Sequence, residues 1–209
     1  MDIRPITMQE VRGLCARYHG YGSSGKVAVY AFGVFEGERL VAAYAWQPPA
    51  PGAAKSVSPN APHTVLALSR MVAVPKAARL LKHVSKPLRV QTKRLIDRTR
   101  WPVLVTYSDS SLGHTGYVYQ CAGWQRDGVT TTKIYENAQG ERTSRYSAGK
   151  TSVRGLTSVG TAEIQRWTKR EVPAGDEGLY CDRYWERVPV PGKFWRSGNQ
   201  AHTWVRRDP

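Results

Sequence analysis

The sequence predicts an α/β fold of the mixed α+β kind, a central sheet flanked by helices. Three observations carry that prediction. Apolar, β-branched runs of strand length recur at 27–35, 39–46, 64–74 and 103–108. Helical spacing of apolar residues falls between them rather than beside them. At 209 residues and 41% apolar composition, the chain can bury one substantial core and carry a tail.

Taken in order, Thr7 stands where a helix cap is needed, and Val11, Leu14, Cys15 and Tyr18 follow at helical spacing, so 5–18 is a short helix. A glycine-rich loop, HGYGSSGK (19–26), comes next. The runs 27–35 and 39–46 form a hairpin in which Gly37 supplies the turn. PPAPGAAKSVSPNAP (48–62) reads as a loop. TVLALSRMVAV (64–74) is an apolar central strand stopped at Pro75. Ser85-Lys86-Pro87 reads as a helix start, with Leu88, Thr92, Leu95 and Thr99 as its apolar stripe to about Arg100. Pro102 ends it, and VLVTYS (103–108) is a fourth strand. Residues 116–122 form a short helix, and Gly123-Trp124 leads into a fifth strand and hairpin through about Tyr135. Beyond residue 140 the periodicity weakens. The sequence therefore divides into a core at 1–140 and a basic, aromatic-rich extension at 141–209 packed on or near it.

Charge narrows the function. Thirty-one basic against 16 acidic residues give +15 and a pI near 10.0, a field suited to a polyanion. Residues 76–100 alone hold nine Lys or Arg and one acid, Asp97. Lys82, Lys86, Arg89, Lys93 and Arg94 are the expected phosphate contacts, and the tail interleaves further cations with Trp185, Trp195 and Trp204 for base stacking, as does Trp124. No apolar run approaches membrane-spanning length and MDIRPITMQEVR lacks a signal-peptide core, so the expectation is a soluble cytoplasmic protein without a membrane partner. Cys15, Cys121 and Cys181 are far apart with no CxxC, which supports neither a disulfide scaffold nor a zinc site built on cysteine pairs.

The chemistry-bearing residues cluster in VTYSDSSLGHTGYVYQCAGW (105–124). Asp109 stands where a strand ends, the place where α/β folds bind ligands; it serves as base or ligand there, or simply caps the turn. His114 is a loop residue with a surface role as its alternative, and Tyr119 is either an acid or core packing. His19 sits in a glycine-rich loop that offers no core to explain it. Arg70 interrupts an apolar strand, costly unless it meets an acid or an anionic ligand. SAGKTS (147–152) mimics the tail of a phosphate loop but lacks its first glycine and a preceding strand, so that role is rejected.

The order helix, hairpin, central strand, basic helix, strand, short helix, strand, with SDSSLGHTGYVYQCAGW, resembles the GNAT superfamily of acyltransferases. The superfamily's Q/R-x-x-G-x-G/A pyrophosphate loop is replaced here by VPKAARLLKHVSKPL, which has no glycine; Ser85 and Lys86 at a helix start are the substitute phosphate ligands. More narrowly, LSRMV (68–72), VTYSD (105–109), GHTGYVYQ (113–120) and the early YHGYG resemble the phage Mom proteins over roughly residues 15–135. That resemblance implies a GNAT-like fold and conversion of the adenine amine in double-stranded DNA to a carbamoylmethyl (acetamido) form, which protects phage DNA from restriction in the cytoplasm of the bacterial host. It also implies acetyl-CoA as donor and iron as a requirement. Carried over by motif, His19, Tyr21, Asp109 and Tyr119 are catalytic, with Tyr18 an alternative to Tyr21. Arg70 and Ser85 bind the donor, and His19 with Asp109 ligate the metal. An acetyltransferase acting on another amine, or a non-catalytic DNA-binding protein, stay open as alternatives, as does a dimer.

Overall fold

The computed structural model describes residues 2–19, 27–136, 140, 142–144, 156–194 and 200–207. Tyr21, Trp195 and the SAGKTS segment therefore lie outside the described residues. The first helix, α1 (Met8–Tyr18), starts as Thr7 predicts: the Thr7 side chain accepts the Glu10 amide while the Glu10 carboxylate accepts the Thr7 N–H at 2.7 Å. This reciprocal cap stabilises a helix start by about 1 kcal/mol. Val11, Leu14 and Cys15 then bury one face against the sheet.

Eight strands form that sheet in the order β1-β2-β3-β4-β5-β8-β6-β7. β1 (Asp2–Pro5) pairs with β2 (Tyr30–Glu36), and β2 turns into β3 (Arg39–Gln47) at Gly37, whose φ of 58° favours glycine. β4 (Val65–Ala73) and β5 (Val103–Asp109) are parallel; every other described pairing in the sheet is antiparallel. The mixed sheet and the expected element order are thus the ones found.

Four expectations change. The 48–62 loop contains a helix, α2 (Pro51–Val57), because Pro51 pre-sets the first turn and Ala54 and Val57 bury against Val65, Val103 and Val105. The basic segment holds α3 (Pro75–Ala78) and α4 (Leu81–Val90), the latter running into a π-helical turn, Gln91–Leu95. Ser85 therefore lies inside α4, not at its start, and so does Pro87. The helix stops at Ile96, short of Arg100, because the Asp97 carboxylate takes the Thr99 amide at 2.9 Å. β6 (Gln125–Glu136) is one long strand rather than a hairpin. Its Asp127-Gly128 pair is a bulge, with Asp127 accepting from the Arg166 and Thr168 side chains at 2.7 and 3.0 Å.

The fourth change concerns the boundary drawn at residue 140. β7 (Arg142–Ser144) extends the sheet, and β8 (Thr157–Arg170) inserts between β5 and β6, so the sheet continues across that boundary. Beyond β8 come α6 (Glu177–Asp182) and a separate hairpin, β9 (Trp185–Phe194) with β10 (Gln200–Arg206). Trp204 stacks on His63 at 4.8 Å and on the Arg100 guanidinium at 4.2 Å, while Trp185 Nε1 donates to Thr99 Oγ1 at 3.0 Å. These contacts place the hairpin beside the segments that lead into β4 and β5. Trp124 is buried in the core against Trp46.

Pro87 is tolerated for a stated reason. Proline has no N–H, so the His83 carbonyl four residues back loses its helical partner. The Tyr44 hydroxyl, fully buried on β3, reaches the His83 and Val84 carbonyls at 3.2 and 2.8 Å and replaces it. Tyr44→Phe should therefore destabilise the fold by about 1–3 kcal/mol, the cost of stranding buried acceptors. A urea unfolding curve checks this; an unchanged midpoint would show that the carbonyls find water instead.

Candidate functional site

β4 and β5 stay paired only from Val65↔Val103 to Ala67↔Val105. Beyond Ala67 they part, and the cause is local. The β3–β4 register shifts between Ala45 and Trp46, and Ser69 Oγ donates to the Ala45 carbonyl at 3.0 Å. Such a bulge bends and twists its strand, carrying β4 away from β5. Thr106 Oγ1 spans the start of the split, donating to the Leu68 carbonyl at 3.2 Å. The widening gap is a cavity of about 470 Å³.

Four sequence-predicted residues line this cavity together: His19, Arg70, Asp109 and Tyr119, contributed by the end of α1, β4, β5 and α5 (Tyr117–Cys121). Asp109 is buried at the end of β5 and also makes the turn cap that was its alternative, its Oδ1 accepting from the Ser111 amide at 2.9 Å and Ser111 Oγ at 2.6 Å. Arg70 donates to the Ser69 carbonyl at 2.6 Å and is near enough to His19 to act on its titration. Ser85 does not line the cavity: it is buried, and its hydroxyl donates to the Val118 carbonyl on α5 at 3.2 Å. Tyr18 is half exposed and is not among the lining residues.

Sequence reasoning missed Thr106 and Ser108, and it left His114 unassigned; all three line the cavity. The polar alternation of VTYSD on an otherwise apolar strand was the available signal. His114 is held by its backbone amide on the Asp109 carbonyl at 3.2 Å. It also missed the support of α5. Gly116, at φ 76°, lets the helix start directly over the Trp167 indole, whose Nε1 donates to Ser108 Oγ at 3.0 Å. At the other end, Arg89 donates to the Cys121 carbonyl at 2.7 Å and Lys169 to the Ala122 carbonyl at 3.0 Å. Cations at a helix C-terminus satisfy its orphan carbonyls. Tyr119, tilted against Trp124 and Trp167, is thereby fixed.

Titration follows from this enclosure. Burial first, then the Arg70 and His114 charges, lower His19 from 6.5 to about 4. Burial also lowers His114, with the Asp109 carboxylate opposing it. Burial raises the Tyr119 phenol, and its hydrogen bond with Thr106 pulls the other way. At neutral pH the cavity thus presents neutral imidazoles and a protonated phenol. The unfolded chain takes up a proton at His19 near 6.5, the folded chain only near 4, so this stability is intact above about 6.5 and lost as pH falls toward 4. We expect a loss of about 1–2 kcal/mol between pH 7 and 4.5 after allowing for a partly open site. Unfolding midpoints of wild type and His19→Gln across that range check it: the variant should show the shallower slope.

A metal held by His19 and Asp109 is not supported by these side chains. One Asp109 oxygen already accepts two Ser111 hydrogen bonds, and the Arg70 cation shares the cavity. Among the described residues, the one group of three metal-ligating side chains with mutually close ligand atoms lies elsewhere.

Taken together, the fold and site define an α/β protein with a ligand-sized cavity, mostly apolar with a few convergent polar side chains, in the split between two parallel strands. The chain belongs to the Mom protein family, whose profile matches residues 1–173. No curated protein matches it. Similar solved structures include the Drosophila melanogaster polyamine N-acetyltransferase (11% identity, 81% of this chain and 99% of that one, TM-score 0.49). They also include the ribosomal-protein-S18-alanine N-acetyltransferase of Escherichia coli (12%, 84% and 96%, 0.46) and a ribosomal-protein-alanine N-acetyltransferase of Brucella melitensis (11%, 81% and 99%, 0.47). Among the described residues no helix is long and apolar enough to cross a membrane.

Proposed function

We propose that the protein is a transferase that modifies the exocyclic amine of adenine in double-stranded DNA, and that its step is acyl transfer: the amine nitrogen bonds to the carbonyl carbon of an acyl-coenzyme A as the carbon–sulfur bond breaks and coenzyme A leaves as the thiol. Family membership supports the reaction class, and one observation carries the assignment to this site: His19, Arg70, Asp109 and Tyr119, distant in sequence, converge on one cavity.

The residues fit the donor. On the side facing the split, β4 beyond Ala67 has no ladder partner in β5, so its backbone groups can pair with an extended, amide-bearing chain such as the pantetheine arm. Arg70 is the arginine that lines the cavity, and its charge suits the donor's anionic part. The bound thioester supplies the activated carbonyl group. The chain's own residues supply position and protons. The adenine amine is a poor nucleophile because its lone pair is delocalised into the ring, so it needs an aligned acceptor for its proton and an enclosed, preorganised site. Neutral His19 is the acceptor, Asp109 orients the amine, and the Tyr119 phenol holds a proton for a departing group.

DNA contact is assigned to α4. Lys82, Lys86, Arg89 and Lys93 recur at spacings of four, three and four, which puts them on one exposed stripe continuing to Arg94, while Val84 and Leu88 are buried. This stripe runs beside α5, whose other side lines the cavity. A base must leave the duplex to reach such a site. Mass spectrometry of nucleosides from plasmid DNA in cells expressing the protein tests the proposal: a modified deoxyadenosine is expected. Unmodified adenine in cells holding folded protein would overturn it, and acetylation of a different amine would leave the alternative acyltransferase.

A further inference from the structure

We propose that His63, Cys181 and Asp182 form a zinc-type metal site that staples the C-terminal hairpin to the core. Their ligand atoms, one imidazole nitrogen, one thiol sulfur and one carboxylate oxygen, all lie within 4.8 Å of one another. His63 sits in the turn Pro62–Thr64 that leads into β4, while Cys181 and Asp182 end α6. The site therefore joins segments more than a hundred residues apart in the chain, Cys181 and Asp182 lying beyond the part matched by the family profile.

The donor set selects the metal. Thiolate and imidazole are borderline-soft ligands that suit zinc, with carboxylate as a third, and a fourth tetrahedral position is left to water. A thiolate and a carboxylate together balance the charge of a divalent cation. The surroundings are built as a metal site's are. Trp204 stacks on the His63 ring and fixes its orientation. Arg100 donates to the His63 carbonyl at 3.0 Å, which holds the turn that carries His63. Cys181 is fully buried, whereas His63 and Asp182 are exposed and leave a path for entry. On binding, the thiol proton leaves to solvent as the sulfur–metal bond forms.

The hairpin gives such a staple a purpose. Two strands alone are marginally stable in water, and among the described residues β9–β10 forms a sheet of its own, apart from the large one. A cross-link between the turn before β4 and α6 holds that module against the core. The site is separate from the cavity, because His63 precedes β4 and Arg100 precedes β5, whereas the cavity lies where those strands end.

The test uses the full chain with any affinity tag removed, stripped by chelator and titrated with Co²⁺. One equivalent should bind with a thiolate-to-cobalt charge-transfer absorption, and Zn²⁺ should displace it and raise the unfolding temperature. Cys181→Ser should abolish the absorption and Cys121→Ser should keep it. Asp182→Asn and His63→Gln, both at exposed positions, should each weaken Co²⁺ binding at least about tenfold while leaving the protein folded. No absorption at saturating Co²⁺ in the folded wild type overturns the proposal. So does affinity unchanged in both exposed-ligand variants, or metal lost instead in His19→Gln.

Discussion

Gly116→Ala is expected to lower stability by about 2–4 kcal/mol, a large share of the roughly 5–15 kcal/mol that holds an ordinary domain folded. Two effects add. Gly116 has φ 76°, a conformation that an L-residue adopts at a cost of about 1 kcal/mol or more. A Cβ there would also stand 2.2 Å from the Trp167 indole, well inside contact distance. The ring cannot yield cheaply, because its Nε1 is bonded to Ser108 Oγ and it lies tilted against Tyr119. Overpacking of this kind costs about 1–3 kcal/mol more. Gly113→Ala provides the control: φ is 70°, yet nothing lies within 4 Å of the added carbon. Urea unfolding followed by tryptophan fluorescence should place the position-113 variant about 1 kcal/mol or a little more below wild type and the position-116 variant roughly 1–3 kcal/mol further below that. Equal losses in the two would mean that Trp167 does not sit beneath α5.

That contrast also explains what could be read from the sequence and what could not. Signals completed within a few residues were readable: the Thr7 cap, the Gly37 turn, the apolar strands β4 and β5. Signals overridden by distant partners were not. Pro87 reads as a helix start until Tyr44, on β3, supplies the missing donor to the His83 carbonyl. The hairpin expected through about Tyr135 gives way to one long strand, in which Arg166 and Thr168 hold Asp127 at a bulge. β8 has no local mark of its place between β5 and β6, because that pairing is decided by residues far apart in the chain. Of the site, His19 and Arg70 stood out as residues that local structure explains poorly, Asp109 and Tyr119 were marked by the family resemblance with a turn cap and core packing as their alternatives, and all four converge. Ser85 stood out for a cap it does not make. Trp124, Trp185 and Trp204, read as candidates for stacking on bases, are engaged in packing within the protein. The DNA contact proposed here consequently rests on the cations of α4 rather than on these rings.

The sharpest division between structure and chemistry falls at Asp109, where Asp109→Asn should keep the fold and lose the modified nucleoside. The carboxylate is 5% exposed and caps the turn through Ser111. An asparagine oxygen can still accept the Ser111 amide, so we expect a stability cost of only about 1 kcal/mol, the difference between a charged and a neutral acceptor. What asparagine cannot do is carry the negative charge that orients the amine and balances a proton taken by His19. Loss of a positioned acid or base lowers rate by about 10²–10⁴-fold, so modified adenine should fall to near the detection limit while DNA retention on a phosphate-matched column is unchanged. Asp109→Ala removes cap and charge together and should add about 1 kcal/mol or more of destabilisation to the same chemical loss. The pair separates the turn cap seen in the structure from the chemical role proposed for this residue. If the asparagine variant modifies DNA at the wild-type level, Asp109 is a turn cap alone, and the chemistry passes to His19, His114 and Tyr119 on the remaining walls of the cavity.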